Sequence, residues 1–339
     1  MNCKQWYTSR WALLAAAAIF LFAANTADAE PRVVRIAKQY GISYLPLTIM
    51  QENKLLEAEG KKLGLDLATE WVRFTGGPPM NEALISGNLD FASGGVGPLV
   101  TIWARTQGNL KVKGIAALNA MPLYLNSINP EVKTIKDFTD KDRIALPAVR
   151  VSIQAVILQI AAEKIFGKGQ EHKLDAWTVS LSHPDGLAQM MSGRSEITAH
   201  FTSAPFMYQE LADKRVHLVL NSYDVFGGPH TFNVVWATAK LYEGEPKIVQ
   251  AFLAALSEAM KQIHNDPAAA AALWVKADKS KLSAAEAERI IKLSENSWTM
   301  TPLKTMVFAD YMARVGMVPV KATSWKDMFI DAVHDLPGS

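Results

Sequence analysis

The stretch LDLATEWVRFTGGPPMNEALISGNLDFASGGVGP (Leu65–Pro98) decides the fold. Leu65 to Phe74 reads as a strand, and Gly76-Gly77-Pro78-Pro79 breaks it. Met80 to Ser86 reads as a short helix, Leu89 to Ala92 as a short strand, and Gly97 to Thr106 as another helix. Strands alternating with helices predict βαβ units and a mostly parallel sheet. Working outward, Val33–Ala37 supplies a strand before this stretch, Pro46–Glu59 a helix, and Lys111–Leu118 a strand after it.

The same grammar restarts beyond about residue 123. Arg143–Leu146, Ala176–Val179, Glu196–His200 and Val216–Leu220 read as strands, with helices near 152–166, 185–192 and 204–212. An apolar run, FNVVWAT, follows GGPH (Gly227–His230), and from Pro246 onward the pattern is helical. Ser283 with Glu286 three residues on is a capping box. The architecture repeats although the sequence does not. If the helical tail packs on the first unit, the chain crosses between two lobes twice, at Asn119–Leu125 and Ser222–Phe232. Two crossings make a hinge and leave a cleft, where ligands usually bind.

Residues 1–29 read as a Sec-type signal. Lys4 and Arg10 precede an apolar run from Trp11 to Ala24, and Ala27-Asp28-Ala29 predicts cleavage before Glu30. Losing Lys4, Arg10 and Asp28 leaves 33 basic residues (of 35) against 32 acidic ones (of 33), a net charge of +1. The only cysteine, Cys3, leaves with the signal, so the mature chain has no disulfide, thiol nucleophile or thiolate metal site. Near-neutral charge gives no bias toward nucleic acid, and no cofactor is expected. Roughly 310 mature residues exceed what one core usually supports.

The usual catalytic signatures are absent: no phosphate-binding loop, no H-E-x-x-H, no G-x-S-x-G and no EF-hand loop. SGGVGP (Ser93–Pro98) lacks the third glycine of a dinucleotide fingerprint, since position 100 is Val. Three histidines, His183, His200 and His230, sit in loops or at strand ends. A metal site is the less favoured reading, because structural metals prefer tight sequence clusters. An enzymatic histidine would need a carboxylate to orient it, and Asp185 is the only one near His183 in sequence.

Six loops follow the predicted strands: QYGISYLPL, FTGGPP, SGGVGP, AVRVSIQ, SLSHPDG and HFTSAPF. Five run into a helix within a few residues. Helix starts leave N–H groups without partners, and small residues let a ligand approach them. These loops nominate Tyr40, Ser43, Tyr44, Gly76, Gly77, Gly94, Gly95, Arg150, Ser152, Gln154, His183, His200 and Phe201 as ligand contacts. Asn119 and His230 join them from the crossings, and Trp298 from the tail. Arg150 is the leading candidate, because its guanidinium offers a fork of donors to a sulfonate or carboxylate. Ser152 also reads as a helix cap, Tyr40 and Tyr44 equally as packing under their loop, and Trp298 as core.

The segment Glu59–Pro98, EGKKLGLDLATEWVRFTGGPPMNEALISGNLDFASGGVGP, resembles the nitrate/sulfonate/taurine family of ABC-transporter substrate-binding proteins. IKDFTDKDRIALPAVRVSIQAVILQ, LSHPDGLAQMMSGRSEITAHFTSAPF and EPKIVQAFLAALSEAMKQIHNDPAAAAALW match later segments in the same order. The resemblance covers about 30–335 and implies an α/β, type II periplasmic binding fold. Its two Rossmann-like lobes are joined by a two-strand hinge, with C-terminal helices packed on lobe one. The implied boundaries are 30–120 for the first part of lobe one, 121–224 for lobe two, and 225–339 for the rest of lobe one with the tail. The chain departs from the family where a T-G-D-P-P-like loop is expected. Ser93–Pro98 carries no carboxylate, which suits an anion. The absence of cysteine in the mature chain argues against the family's thiamine-precursor synthases. The implied function is capture of a small organic anion, sulfonate or carboxylate, in the periplasm by a monomer, and its delivery to an inner-membrane permease. The alternatives are a binding protein for nitrate, bicarbonate or a thiamine-precursor pyrimidine, or an enzyme or sensor domain on the same scaffold.

Overall fold

Ten strands and fourteen α-helices are found in the computed structural model, which describes residues 30–339. The expected signal lies outside the described residues. The strands are β1 (Arg32–Lys38), β2 (Leu67–Arg73), β3 (Ala92–Gly95), β4 (Lys113–Ala117), β5 (Tyr124–Ser127), β6 (Ile144–Leu146), β7 (Thr178–Ser180), β8 (Ala199–Thr202), β9 (His217–Asn221) and β10 (Asn233–Ala237). The helices of the first half are α1 (Leu45–Glu52), α2 (Leu55–Lys62), α3 (Gly77–Ile85) and α4 (Val96–Arg105). Those of the second are α5 (Ile153–Phe166), α6 (His183–Ser192), α7 (Phe206–Leu211) and α8 (Ser222–Phe226). The remaining helices are α9 (Ala239–Tyr242), α10 (Pro246–Asn265), α11 (Pro267–Ala277), α12 (Ala284–Ile291), α13 (Thr305–Arg314) and α14 (Trp325–Met328).

Two strand assemblies share one plan. The second runs β7-β6-β8-β5-β9. In the first, β1 pairs with β2, and β10 lies between β3 and β4. A parallel bridge, Ile36 to Phe91, joins these pieces, with Ala37 donating to the Phe91 carbonyl at 2.8 Å. The order is therefore β2-β1-β3-β10-β4, the same sequence of roles.

The sheets are mostly parallel, as expected, apart from one opposed strand in each. β10 runs antiparallel to β3 and β4, and β5 antiparallel to β8 and β9, while β6 is parallel to β7 and β8. The cause lies in the crossings. Tyr124, the first residue of β5, pairs with Thr202 and Asn221, the last residues of β8 and β9. Asn233, the first of β10, pairs with Gly95, the last of β3. A chain arriving from the other half enters its new sheet at the loop-bearing end, so it must run against the strands already there.

Three local readings shift. The helix expected over 46–59 is two helices, parted at Lys54 in the left-handed region, φ 49°. No Gly or Pro marks that break. The strand expected at 89–92 lies at Ala92–Gly95, where a Cβ on Gly94 would sit 2.9 Å from Gln39 Nε2 and 3.1 Å from the Trp236 indole. The helix α8 in the second crossing carries no strong periodic signal in five residues. The Ser283–Glu286 capping box forms as expected.

The tail packs on the first assembly, where Phe252 of α10 stacks on Phe91 with centroids 4.2 Å apart. It also reaches the second half, where Arg314 of α13 makes a bidentate pair with Glu163 of α5, at 2.8 and 2.6 Å. Among the described residues no helix is long and apolar enough to cross a membrane.

Candidate functional site

Strand exits of both assemblies meet at a small cavity whose open volume, about 20 Å³, is about room for one water. Five helix starts border it. Tyr44 is the N-cap of α1, Gly77 opens α3, Gly95 caps α4, Ser152 caps α5 and His183 opens α6. Each helix has eight or more residues, so each start carries partial positive charge and N–H groups with no acceptor inside the helix. The rest of the wall is Gln39, Tyr40, Pro98, Pro147, Ile153, Gln154 and Phe232. No carboxylate and no lysine or arginine is among the residues lining it.

The two halves touch closely here. Ile42 donates its backbone N–H to Ala204 at 3.2 Å, across the halves. Gly41, with φ 116°, lies beneath the same carbonyl, where a Cβ would come within 2.9 Å. At Gly95 a Cβ would fall 2.5 Å from Ile153 Cγ2 and 2.7 Å from its Cβ. At Gly76 it would meet the Pro147 carbonyl at 3.1 Å. Glycine lets the halves meet backbone to side chain.

Behind His183 runs a buried chain of polar groups. Gln154 Nε2 lies 3.3 Å from His183 Nε2, and His183 Nδ1 lies 3.2 Å from His200 Nε2. His200 Nδ1 lies 2.6 Å from Glu210 Oε1, and Asn126 donates to Glu210 Oε2 at 2.9 Å. The Thr202 hydroxyl stands 3.0 Å from His183 Nδ1. His200 and Glu210 are 0 % exposed. Gly186 makes room for the His200 ring, where any Cβ would sit 2.6 Å from Nε2. Burial first, and the neighbouring His200 second, push the His183 pKa well below the ordinary imidazole value.

A groove of about 530 Å³ opens beside the cavity and shares Tyr40 with it. Its second-half wall is mostly apolar, with Pro184, Leu187, Met191 and Phe206 beside Gln209. The facing wall is basic, with Arg73, Lys279 and Lys281 around Asp278. Arg73 donates to Asp278 at 2.8 Å and stacks over the Tyr40 ring at 5.2 Å. Beneath them Lys38 is bonded to Thr48 at 2.9 Å. Burial pushes its pKa down to about 8 against the opposing pull of Asp278.

Of the sequence-nominated residues, Tyr40, Tyr44, Gly77, Gly95, Ser152, Gln154 and His183 border the cavity. Gly76 lies one residue outside it. Gly94 is inside strand β3 against Trp236. Asn119 and Ser43 are fully buried supports: Asn119 donates to the Ser43 carbonyl at 2.6 Å. Asn233 then holds the Tyr44 hydroxyl at 2.9 Å.

Arg150 is a correction. Its side chain is 76 % exposed and faces Asp175 at 3.9 Å, away from the cavity. Its φ of 65° puts it in the left-handed region, two residues before the α5 cap. His200 is a second-row residue behind His183, and Phe201 is core. His230 does not join the other histidines; it packs among Tyr223, Phe226 and Phe308 and bonds Ser222. Trp298 is buried in the core and donates to Ile291. Asp185 does not orient His183; it bonds Ser182 of its own cap. The orienting carboxylate is Glu210, which no sequence motif marks. Ten residues separate it from His200, across the turn between β8 and α7.

No family model matches the chain, and no curated protein does. Solved structures do. The alkanesulfonate-binding protein SsuA from Xanthomonas axonopodis pv. citri, bound to MOPS, is similar at 19% identity and TM-score 0.68, over 86% of this chain and 96% of that one. The periplasmic aliphatic sulphonate binding protein SsuA from Escherichia coli is similar at 21% identity and TM-score 0.64, over 88% of this chain and 99% of that one. The periplasmic nitrate-binding protein NrtA from Synechocystis PCC 6803 is similar at 15% identity and TM-score 0.67, over 86% and 83%. The chain has the periplasmic binding protein fold, and these neighbours are the kind of protein the sequence resembles. Each is described as a binding protein.

Proposed function

We propose that the chain is the periplasmic solute-binding component of an ABC importer and captures a small organic anion between two lobes. The observation that carries this reading is the convergence of five helix N-termini on a cavity lined by no carboxylate. The partial positive charge at these helix starts favours an anion there, although Leu45, Ala155 and Asp185 already bond nearby acceptors and Pro46, Pro78, Pro79 and Pro184 carry no N–H. The anionic head sits against α5 and α6, and the organic remainder extends past Tyr40 into the groove. Its apolar wall takes the carbon, and Arg73, Lys279 and Lys281 add attraction. The lobes are 30–120 with 225–339, and 121–224, and they move about the two crossings. With room for about one water, the cavity admits a solute only after they part. Residues 1–29 direct export, the working form is a monomer, and the closed form delivers the solute unchanged to a permease.

The test is a thermal-shift screen of ethanesulfonate, taurine, benzoate, nitrate, bicarbonate and a hydroxymethylpyrimidine, followed by titration and recovery of the solute. The reading expects an anion to raise the melting temperature and be recovered intact. Binding of the pyrimidine alone, or chemical change of the solute, contradicts it.

A further inference from the structure

Gln154, His183, His200 and Glu210 form one hydrogen-bonded file from the cavity wall to a fully buried carboxylate. The end groups fix its direction. The Gln154 amide nitrogen only donates, so His183 Nε2 accepts from it. The His183 proton is then on Nδ1 and is donated to His200 Nε2. The His200 proton is on Nδ1 and is donated to Glu210, whose carboxylate only accepts. In this state both rings are neutral and Glu210 keeps a buried negative charge, supported by Asn126 alone beyond His200. Such a charge favours a compensating cation.

We propose that the Glu210–His200–His183 file takes up one proton from solvent when the anion enters the cavity, turning His183 Nε2 from an acceptor into a donor to the solute. This rests on the anion reading above. The added proton binds His183 Nε2, and the Nδ1 proton of His183 passes to His200 Nε2. His183 stays neutral, now with its proton toward the cavity. The imidazolium forms on His200 against Glu210, and one proton has been gained in all. The Thr202 hydroxyl serves both states, accepting from Nδ1–H or donating to bare Nδ1. Gln154 Nε2 no longer has an acceptor on His183, and the solute oxygen takes the Nε2 proton in its place. That His183 itself resists becoming a cation suits this relay. The other ionisable groups around His183 are Asp185, two residues along α6 and bonded to Ser182, and the phenols of Tyr40 and Tyr44 on the cavity wall. The adjoining α5 and β5 contribute only the amides Gln154 and Asn126.

The test measures affinity for ethanesulfonate, nitrate and benzoate between pH 8.5 and 6.5 in bis-tris propane. None of the three anions titrates in that range, and the buffer is a cation. The relay expects affinity to rise about tenfold for each unit of falling pH. In Glu210→Gln, which keeps an acceptor for His200, it expects a flat profile. A flat profile in the unaltered protein, or the same slope in Glu210→Gln, overturns the proposal. Imidazole ¹⁵N spectra of the ligand-free protein decide it even if Glu210→Gln does not fold. His183 is expected to carry its proton on Nδ1 at alkaline pH and on Nε2 in acid. One unchanging tautomer overturns the relay. If none of the three anions binds, the anion reading fails, and these spectra still judge the relay on their own.

Discussion

The first half gives the cavity a wall of glycine, proline and tyrosine, with Gln39; the second gives hydroxyl, amide and imidazole from Ser152, Gln154 and His183. The strand order is the same in both halves, and so is the arrival of helix starts at the rim. The side chains differ because the tasks differ. Glycines at 76 and 95 allow the halves to come within contact of Pro147 and Ile153. The second half places a buried carboxylate and two imidazoles behind its wall. One wall sets how close the halves come, and the other sets what chemistry the closed space offers.

The largest effect should come from cutting the second wall at its root. Glu210→Ala leaves His200 and Asn126 without their shared acceptor in a fully buried place. It should lower stability by about 3–5 kcal/mol, measured by denaturant unfolding. A loss below about 1 kcal/mol would mean that the carboxylate is not structurally needed.

His230 is a histidine outside this file and sharpens the contrast. Burial lowers its pKa to about 4. The unfolded chain therefore binds a proton, from its ordinary value near 6.5 downward, that the folded chain refuses. Stability should fall as pH drops from about 6.5 to 4, by roughly 3 kcal/mol from this group. His230→Gln should remove that part of the acid loss in a series of unfolding curves; an unchanged acid limb would assign it elsewhere.

His183→Ala should weaken anion binding by about 1.5–3 kcal/mol, the range for a hydrogen bond to a charged group. Gly95→Ala tests the other wall. Its methyl meets the Ile153 branch point, and propping the halves should cost about 1–3 kcal/mol of affinity. It should also enlarge the radius of gyration of the solute-bound form in small-angle scattering. Equal scattering with wild-type affinity would show that Gly95 does not limit closure. The smallest effect belongs to Arg150→Ala. An exposed arginine facing Asp175 at 3.9 Å contributes about 0–1 kcal/mol to stability, and its loss should leave titration curves unmoved.

Arg150 also shows where the sequence ceases to be legible. The order of elements could be read because strands and helices repeat their periodicities locally. The caps Ser152 and Ser283 could be read because capping is a short-range pattern. The exposure of Arg150 beside Asp175 could not, since that partner lies far along the chain and comes near only in the fold. Glu210 stayed hidden for another reason: its partners His200 and Asn126 lie on strands that become neighbours only when the first crossing inserts β5 beside β8. The antiparallel strands were missed likewise, because the direction of β5 and β10 follows from where the chain enters each sheet.

Co-crystallisation with 2-bromoethanesulfonate tests the central claim most directly, because the bromine marks the organic end by its anomalous signal. The sulfonate should lie within hydrogen-bond distance of the first N–H groups of α5 and α6 and of His183 Nε2, with the bromine toward Leu187, Met191 and Phe206. A bromine peak beside Arg150, or anywhere outside the cavity and its groove, would contradict an anion held between helix starts.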